Sequence, residues 1–153
     1  MMSAEVLDLD DVDDMETDLL VESNKCMDTI TLKKKFIFRL VLALHHAGNV
    51  SYKTEEYGRL VAHAFGLHAS ISVFPVTAMI TFHESNLLHP SSSESYSIRI
   101  NGGWYFKRLS LLDELCHEIC KCRLPFEEAH SKLLFVEENT PGYSNCKLLL
   151  NMN

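Results

Sequence analysis

The 153-residue sequence predicts an α+β domain: a helical hairpin, a three- or four-stranded antiparallel sheet, and then two further helices. Three observations predict this order. Apolar residues recur at helical spacing from about residue 30 to residue 65, the period then falls to the two residues typical of strands, and helical spacing returns after about residue 110. The length suits one domain better than two.

The hairpin is predicted from two apolar faces separated by a short break. Gly48 and Asn49 end the first helix, as such residues commonly do. Ser51 is expected to be the N-cap of the second helix, with Glu55 and Glu56 in its first turn. The two predicted core faces are Phe36, Ile37, Leu40, Val41, Leu44 and Ala47 in the first helix, and Tyr57, Leu60, Val61, Ala64 and Phe65 in the second.

The sheet is predicted from alternating apolar and polar residues. Pro75 is expected in the turn between the first two strands, because proline cannot donate to a strand ladder. Residues 86–95, which are rich in serine, are expected to form a loop, and residues 104–106 are a candidate fourth strand after the Gly102-Gly103 turn. The expected inward-facing residues are Ile71 and Val73, then Ala78, Ile80 and Phe82, then Tyr96, Ile98 and Ile100.

Two further helices are predicted towards the end of the domain. Ser110 and Asp113 fit a capping box for a helix over residues 111–121. Pro125 suits the first position of a helix over residues 126–138. The predicted core face of this last helix consists of Ala129, Leu133, Leu134 and Val136.

The net charge of −7 is concentrated at the start of the chain. Residues 1–24 hold nine Asp or Glu and no Lys or Arg, which leaves 21 − 9 = 12 acidic and 14 basic residues in the remainder. We therefore predict a disordered acidic lead over residues 1–27 and a nearly neutral domain over residues 28–144. The sequence shows no cluster of basic residues of the kind that binds nucleic acid, so we do not expect nucleic acid as a partner.

The sequence predicts a cytoplasmic, soluble chain. The acidic start is unlike a signal peptide, and no run approaches the roughly 18 apolar residues of a membrane span. Five cysteines, an odd number, favour reduced thiols.

Candidate chemistry is sparse. Cys116, His117, Cys120 and Cys122 lack two separated ligand pairs, so we predict no metal site, and no motif indicates a cofactor. A serine-type hydrolase using His46, Ser51 and Glu55 is one alternative, since a histidine near a helix end can activate a serine. Helix capping by Ser51 is the simpler interpretation, and no Gly-x-Ser-x-Gly motif is present.

The segment from residue 46 to residue 55, His-Ala-Gly-Asn-Val-Ser-Tyr-Lys-Thr-Glu, resembles a motif of the threonine/serine exporter family. That family shows Gly-Ala-x-Ser/Thr-Tyr/His-Arg-x-Glu after an apolar helix; here Asn49 replaces the alanine and Lys53 the arginine. The similarity covers about residues 30–144. It continues through Arg59-Leu60, Ala62, Phe65-Gly66, Ile80-Thr81-Phe82, Ile98-Arg99-Ile100, Gly102-Gly103, Leu109, Glu127-Glu128-Ala129, Leu133 and Pro141-x-Tyr143-Ser144.

The resemblance implies that this chain corresponds to the region that, in the family, precedes a bundle of membrane helices exporting amino acids. That region is regarded as hydrolase-like. Residues 145–153 stand where a first span begins in that family, and we expect them to be the truncated start of such a span. Transport by this chain alone is therefore not expected. We expect a binding or regulatory role, with a full-length exporter relative or membrane domain as partner and a small amino-acid-like solute as ligand. The candidate ligand-binding residues are Lys53, Thr81, His83 and Arg99.

Overall fold

A computed structural model of the chain describes residues 11–84, 93–100 and 103–139, and within residues 11–27 it describes only the backbone and the side chain of Lys25. The chain divides into two compact units, Met1–Leu32 and Lys33–Asn153. In the first unit, the Thr29 hydroxyl donates to the Lys25 carbonyl oxygen one helical turn earlier, at 2.9 Å. The expectations for residues 1–10 and 145–153 lie outside the described residues, and the division at residues 27 and 144 stays a prediction.

Helix α1 is Asp11–His46, so its backbone begins well before the predicted start near residue 30. Its C-terminal part carries the predicted apolar face, and this prediction is confirmed. Aromatic packing fixes its neighbours: the Phe36 ring lies 5.3 Å from that of Phe65 and 5.8 Å from that of Phe126. The buried residues of this face are Phe36, Ile37, Leu40, Val41, Leu44 and Ala47.

Helix α2 is Ser51–Ala64, and its capping differs from the prediction. Val50 is the N-cap, Ser51 is already helical, and no carboxylate lies in the first turn. The buried face is also rotated from the expected one, because Leu60 remains 39% exposed while Gly58 is buried. A Cβ at Gly58 would overlap the Ile71 side chain, so this glycine lets α2 lie directly against the sheet. The residues of α2 buried in the structure are Thr54, Gly58, Val61 and Ala62.

The sheet contains three antiparallel strands in the order β1-β2-β3 within the described residues: His68–Val73, Thr77–His83 and Ser93–Arg99. The loop prediction for residues 86–95 is therefore wrong at residues 93–95, which belong to β3. The expected inward alternation is confirmed for β2, where Ala78, Ile80 and Phe82 are buried. In β3 it is only partly right, because Tyr96 is 41% exposed.

Helix α3 is Phe106–Cys120, and it excludes the candidate fourth strand because Phe106 is its first residue. Tyr105 is the N-cap and makes no side-chain cap, so the predicted capping box is wrong: Ser110 and Asp113 lie inside the helix. The Tyr105 N–H instead donates to the Ala47 carbonyl oxygen at 3.0 Å, which fastens the start of α3 to the end of α1. This main-chain contact, and not a capping side chain, satisfies the Tyr105 N–H at the helix start.

Helix α4 is Phe126–Asn139, close to the predicted bounds. Ala129, Leu133 and Val136 are buried as expected, and Glu137 joins them in place of Leu134. The Arg39 guanidinium binds the Glu137 carboxylate at 3.1 Å. Since Phe126 meets Phe36 and Glu137 meets Arg39, α4 runs in the same direction as α1.

The helices and strands of the second unit define two ends. At the His46 end, α1 finishes, α2 and α3 begin, and β1 turns into β2. At the Phe65 end, α2 and α3 finish and α4 begins, while β1 starts and β2 finishes. The six residues of β1 separate the two ends of the sheet by roughly 17–20 Å.

Candidate functional site

A cleft of about 390 Å³ opens at the Phe65 end, where the last turns of α2 meet the start of β1 and the end of β2. Its volume falls within the roughly 300–1,000 Å³ typical of ligand pockets. Among the described residues, none of those lining it carries a carboxylate. The lining consists of Arg59, Leu60, His63, Leu67, His68, Ala69 and His83.

Local structure brings the polar side chains of this cleft together. Arg59 and His63 are four residues apart on α2 and therefore share one helix face. The Gly66 turn leads the chain to His68, whose ring centroid lies 6.2 Å from that of His63. His68 is paired with His83 across the β1–β2 ladder, and the His83 ring nitrogen Nε2 lies 2.9 Å from the Ser70 hydroxyl.

This arrangement suits a small anionic or zwitterionic molecule. An arginine side chain presents parallel N–H donors that match both oxygens of a carboxylate. Each neutral histidine ring offers one donor and one acceptor, which suits a hydroxyl or an ammonium group. The apolar side chains of Leu60, Leu67 and Ala69 line the same cleft. The cleft thus combines one permanently charged guanidinium, histidine rings that can donate or accept hydrogen bonds, and an apolar wall.

The four predicted ligand-binding residues do not form one cluster. His83 lines the cleft, and Thr81 lies two residues earlier on the same sheet face, with its hydroxyl 3.0 Å from that of Ser95. Arg99 is paired with Thr77, six residues along β2 from His83, which places it about 20 Å away at the His46 end. Lys53 is exposed in the first turn of α2, six residues and about 9 Å along the helix axis before Arg59.

The residues of the hydrolase alternative are placed as follows. The carboxylate of Glu55 accepts a hydrogen bond from the backbone N–H of Val73 at 2.7 Å, and so satisfies a main-chain donor at the end of β1. The ring of His46 packs against that of Tyr105, with centroids 5.5 Å apart. In the described part of the chain, no hydrogen bond connects Ser51 to His46 or Glu55. The hydrolase alternative stays a prediction without a catalytic geometry to support it.

The cysteines of α3 lie in an environment that suppresses reactivity. Burial is the main cause that raises the pKa of Cys116, and it also raises that of Cys120. Since the thiolate is the reactive form, these thiols are expected to be inert at neutral pH. Across the residues that the structure covers, no group of three His, Cys, Asp or Glu side chains is arranged to hold a metal ion.

Three polar residues that line the cleft were not predicted as ligand-binding residues from the sequence: Arg59, His63 and His68. The sequence held one indication of such a site, because Arg59 and His63 are four residues apart on a predicted helix and so share a face. The convergence with His68 and His83 depends on the strand register, which pairs residues 15 positions apart in the chain. Neither period nor composition specifies that register in advance.

The fold and the cleft define a class of protein: an α+β domain with helices packed on one side of a short antiparallel sheet and a basic cleft at one end. The chain belongs to the threonine/serine exporter family ThrE, whose family model matches residues 35–152. Neither a curated protein nor a solved structure matched the chain. Within the described ranges, none of the helices is both long and apolar enough to cross a membrane.

Proposed function

We propose that this chain is a ligand-binding, regulatory part of a threonine/serine-exporter-type system and does not itself transport. The observation that carries the proposal is the cleft lined by Arg59, His63, His68 and His83. The ligand is a small amino acid or a close analogue, and the partner on which binding acts is a full-length exporter relative or a membrane domain. Membership of a transporter family supports the link to amino-acid export.

The recognition follows from the charges. Arg59 takes the carboxylate of the amino acid, since a guanidinium bound to a carboxylate is among the stronger hydrogen-bonded pairs in proteins. His63 and His68, whose rings neighbour each other, would bind the hydroxyl of threonine or serine, or the ammonium group through an unprotonated ring nitrogen. A side chain without a hydroxyl loses one of these contacts. We therefore expect threonine and serine to bind more tightly than alanine.

Titration of the full chain with L-threonine, L-serine and L-alanine, followed by calorimetry or by amide chemical shifts, tests this proposal. Arg59→Gln is expected to weaken threonine binding by roughly tenfold or more, since a hydrogen bond to a charged group is worth about 1.5–3 kcal/mol. Lys53→Gln is the matched control, because Lys53 lies on the same helix outside the cleft. Binding that Lys53→Gln abolishes and Arg59→Gln leaves unchanged would refute the cleft as the site. Absence of binding by all three amino acids would refute the proposed ligand class.

The regulatory part of the proposal has its own experiment. The chain reconstituted alone with amino-acid-loaded liposomes is expected to give no threonine flux above that of protein-free vesicles. Co-reconstitution with a full-length family member should change the flux of that member in a threonine-dependent manner. Flux from vesicles holding this chain alone would show that it transports, and an unaltered flux in the co-reconstituted vesicles would count against regulation.

A further inference from the structure

Large apolar side chains are exposed together at the His46 end of the second unit. Trp104 is 78% exposed and Phe106 is 73% exposed, and their rings lie 6.3 Å apart. Exposed apolar side chains that neighbour one another often mark an interaction surface, whereas single scattered ones do not. We call it the aromatic end surface, and its apolar members are Val50, Tyr52, Phe74, Val76, Trp104 and Phe106.

Short-range contacts hold these side chains on one end of the fold. Trp104 covers the turn after α1, since a Cβ built on Gly48 would lie 3.4 Å from the Trp104 ring. The start of α3 is fastened to Ala47 through the Tyr105 N–H. The β1–β2 turn joins them through a hydrogen bond between His45 and the Pro75 backbone. The end of β3 is fastened to this turn, because the Ile100 N–H donates to the Val76 carbonyl oxygen at 2.9 Å.

Basic side chains accompany the aromatic ones. Lys53 follows Tyr52 in the first turn of α2, Lys107 follows Phe106 in the first turn of α3, and Arg99 ends β3 beside Ile100; all three are exposed. The carboxylate of Glu55 is engaged by the Val73 N–H, which leaves Glu56 as an exposed acid close to Lys53 in the sequence. Interleaved aromatic and basic residues are typical of surfaces that rest on anionic lipid headgroups.

The charge of this surface favours an anionic lipid surface over a second copy of the chain. Lys53, Lys107 and Arg99 present positive charge beside the aromatic side chains, and two copies of the surface would bring these like charges together.

We propose that the aromatic end surface docks on the headgroup region of an anionic bilayer, with Trp104 and Phe106 inserted and Lys53, Lys107 and Arg99 against the lipid phosphates. The docking site lies at the opposite end of the sheet from the cleft of Arg59. It does not depend on the proposed solute, and the two can fail separately.

Trp104 is the single tryptophan of the sequence, so it reports on this surface without a label. Vesicles of phosphatidylcholine with about one-third phosphatidylserine are expected to shift its emission to shorter wavelength and to shield it from acrylamide. Pure phosphatidylcholine should act much more weakly, and high salt should reverse the effect because it screens the charges. Unchanged emission with anionic vesicles would overturn the proposal. So would an emission that shifts with protein concentration alone, because a second copy would then cover the surface.

Variants separate the aromatic from the basic contribution in vesicle co-sedimentation. Trp104→Ala with Phe106→Ala is expected to lower the partition coefficient at least about tenfold, because two large apolar side chains no longer insert. Lys53→Gln with Lys107→Gln should lower it by roughly fivefold for each lysine. The matched controls are Phe135→Ala, an exposed phenylalanine on α4, and Lys121→Gln with Arg123→Gln at the far end of α3. Controls that reduce binding as much as the test variants would refute this surface, and circular dichroism verifies that each variant is folded.

Discussion

At the residue scale, Thr54 and not Ser51 supplies side-chain hydrogen bonds at the start of α2. The Thr54 side chain is fully buried, and its hydroxyl donates to the Val50 carbonyl oxygen at 3.2 Å. The same hydroxyl accepts a hydrogen bond from the Asn49 side-chain amide at 3.1 Å. The turn between α1 and α2 is therefore held from inside the second helix, one turn later than an N-cap would hold it.

This difference predicts the outcome of two conservative substitutions. Thr54→Val keeps the shape but removes both hydrogen bonds in a buried place, and we expect it to lower the free energy of unfolding by about 1–2 kcal/mol. Ser51→Ala removes a hydroxyl without a capping bond and should change it by less than about 0.5 kcal/mol. Urea unfolding followed by circular dichroism measures both. A larger loss for Ser51→Ala than for Thr54→Val would contradict the assignment.

His45 gives the fold a dependence on pH. Burial lowers the pKa of His45, although its hydrogen bond to the Pro75 backbone acts in the opposite direction. The unfolded chain takes up the proton below the ordinary histidine value of about 6.5, before the folded chain does. His45 therefore makes stability fall as the pH drops from about 6.5 through the lowered pKa of the folded state.

The matched variant for this prediction is His45→Leu, which removes the titrating ring. We expect the free energy of unfolding of the variant to fall less between pH 7 and pH 5 than that of the unaltered chain. Urea titrations at several pH values give both slopes, and their difference isolates His45 from the other titrating groups. Equal slopes would show that His45 does not contribute.

At the scale of elements, the ion pair of Arg39 and Glu137 joins the first helix of the fold to the last. The Glu137 side chain is 4% exposed and that of Arg39 is 22% exposed. Glu137→Gln leaves the Arg39 charge without its carboxylate. We expect a loss of about 2 kcal/mol, below the roughly 3–5 kcal/mol of fully buried pairs because Arg39 retains contact with water. Glu138→Gln, one residue on and exposed, is the control for thermal unfolding, and equal effects of the two would contradict the prediction.

Helix α2 is fastened to the edge of β1 by one carboxylate. Glu55 accepts the Val73 N–H at 2.7 Å, whereas its neighbour Glu56 is exposed. Glu55→Ala should therefore cost about 1–3 kcal/mol, because it leaves a partly buried N–H without an acceptor. Glu56→Ala should be nearly neutral. Amide hydrogen exchange at Val73 is expected to accelerate in Glu55→Ala, and unchanged protection there would refute the contact.

The sequence predicted the elements better than it predicted what joins them. The period of α1 identified its buried face because six apolar positions repeat over three turns. The capping box at Ser110 failed because α3 starts five residues earlier, where the Tyr105 N–H contacts the Ala47 carbonyl oxygen of a distant part of the sequence. Of the residues that line the cleft, the sequence predicted only His83 as a ligand-binding residue. Arg59 and His68 lie there because of the direction of α2 and the register of β1 against β2, which the sequence pattern does not specify.

At the scale of the whole molecule, the acidic charge and the buried core lie in separate parts of the sequence. Residues 1–24 carry nine acidic residues, and their removal changes the net charge from −7 to +2, since 14 basic and 12 acidic residues remain. The buried core begins at Phe36, in the unit Lys33–Asn153. The acidic residues thus precede the residues of this core in the sequence.

A chain that begins at residue 25 tests this separation. We expect it to unfold at the same temperature as the full chain, because its core is intact. It should bind anionic vesicles more tightly and with a steeper salt dependence, since a repulsive negative charge has been removed. A large drop in unfolding temperature would show that the acidic segment stabilises the fold, and weaker vesicle binding would show that it assists docking.

The pairing of Arg39 with Glu137 also sets an order of events during synthesis. The two residues are 137 − 39 = 98 positions apart, so at about 5–20 residues per second the arginine is translated roughly 5–20 s before its partner. Helix α4 is translated only at the end of that interval, so until then the apolar face of α1 lacks the cover that α4 provides. The nascent chain is then most open to capture by chaperones, and slower translation of α4 should lengthen that exposure.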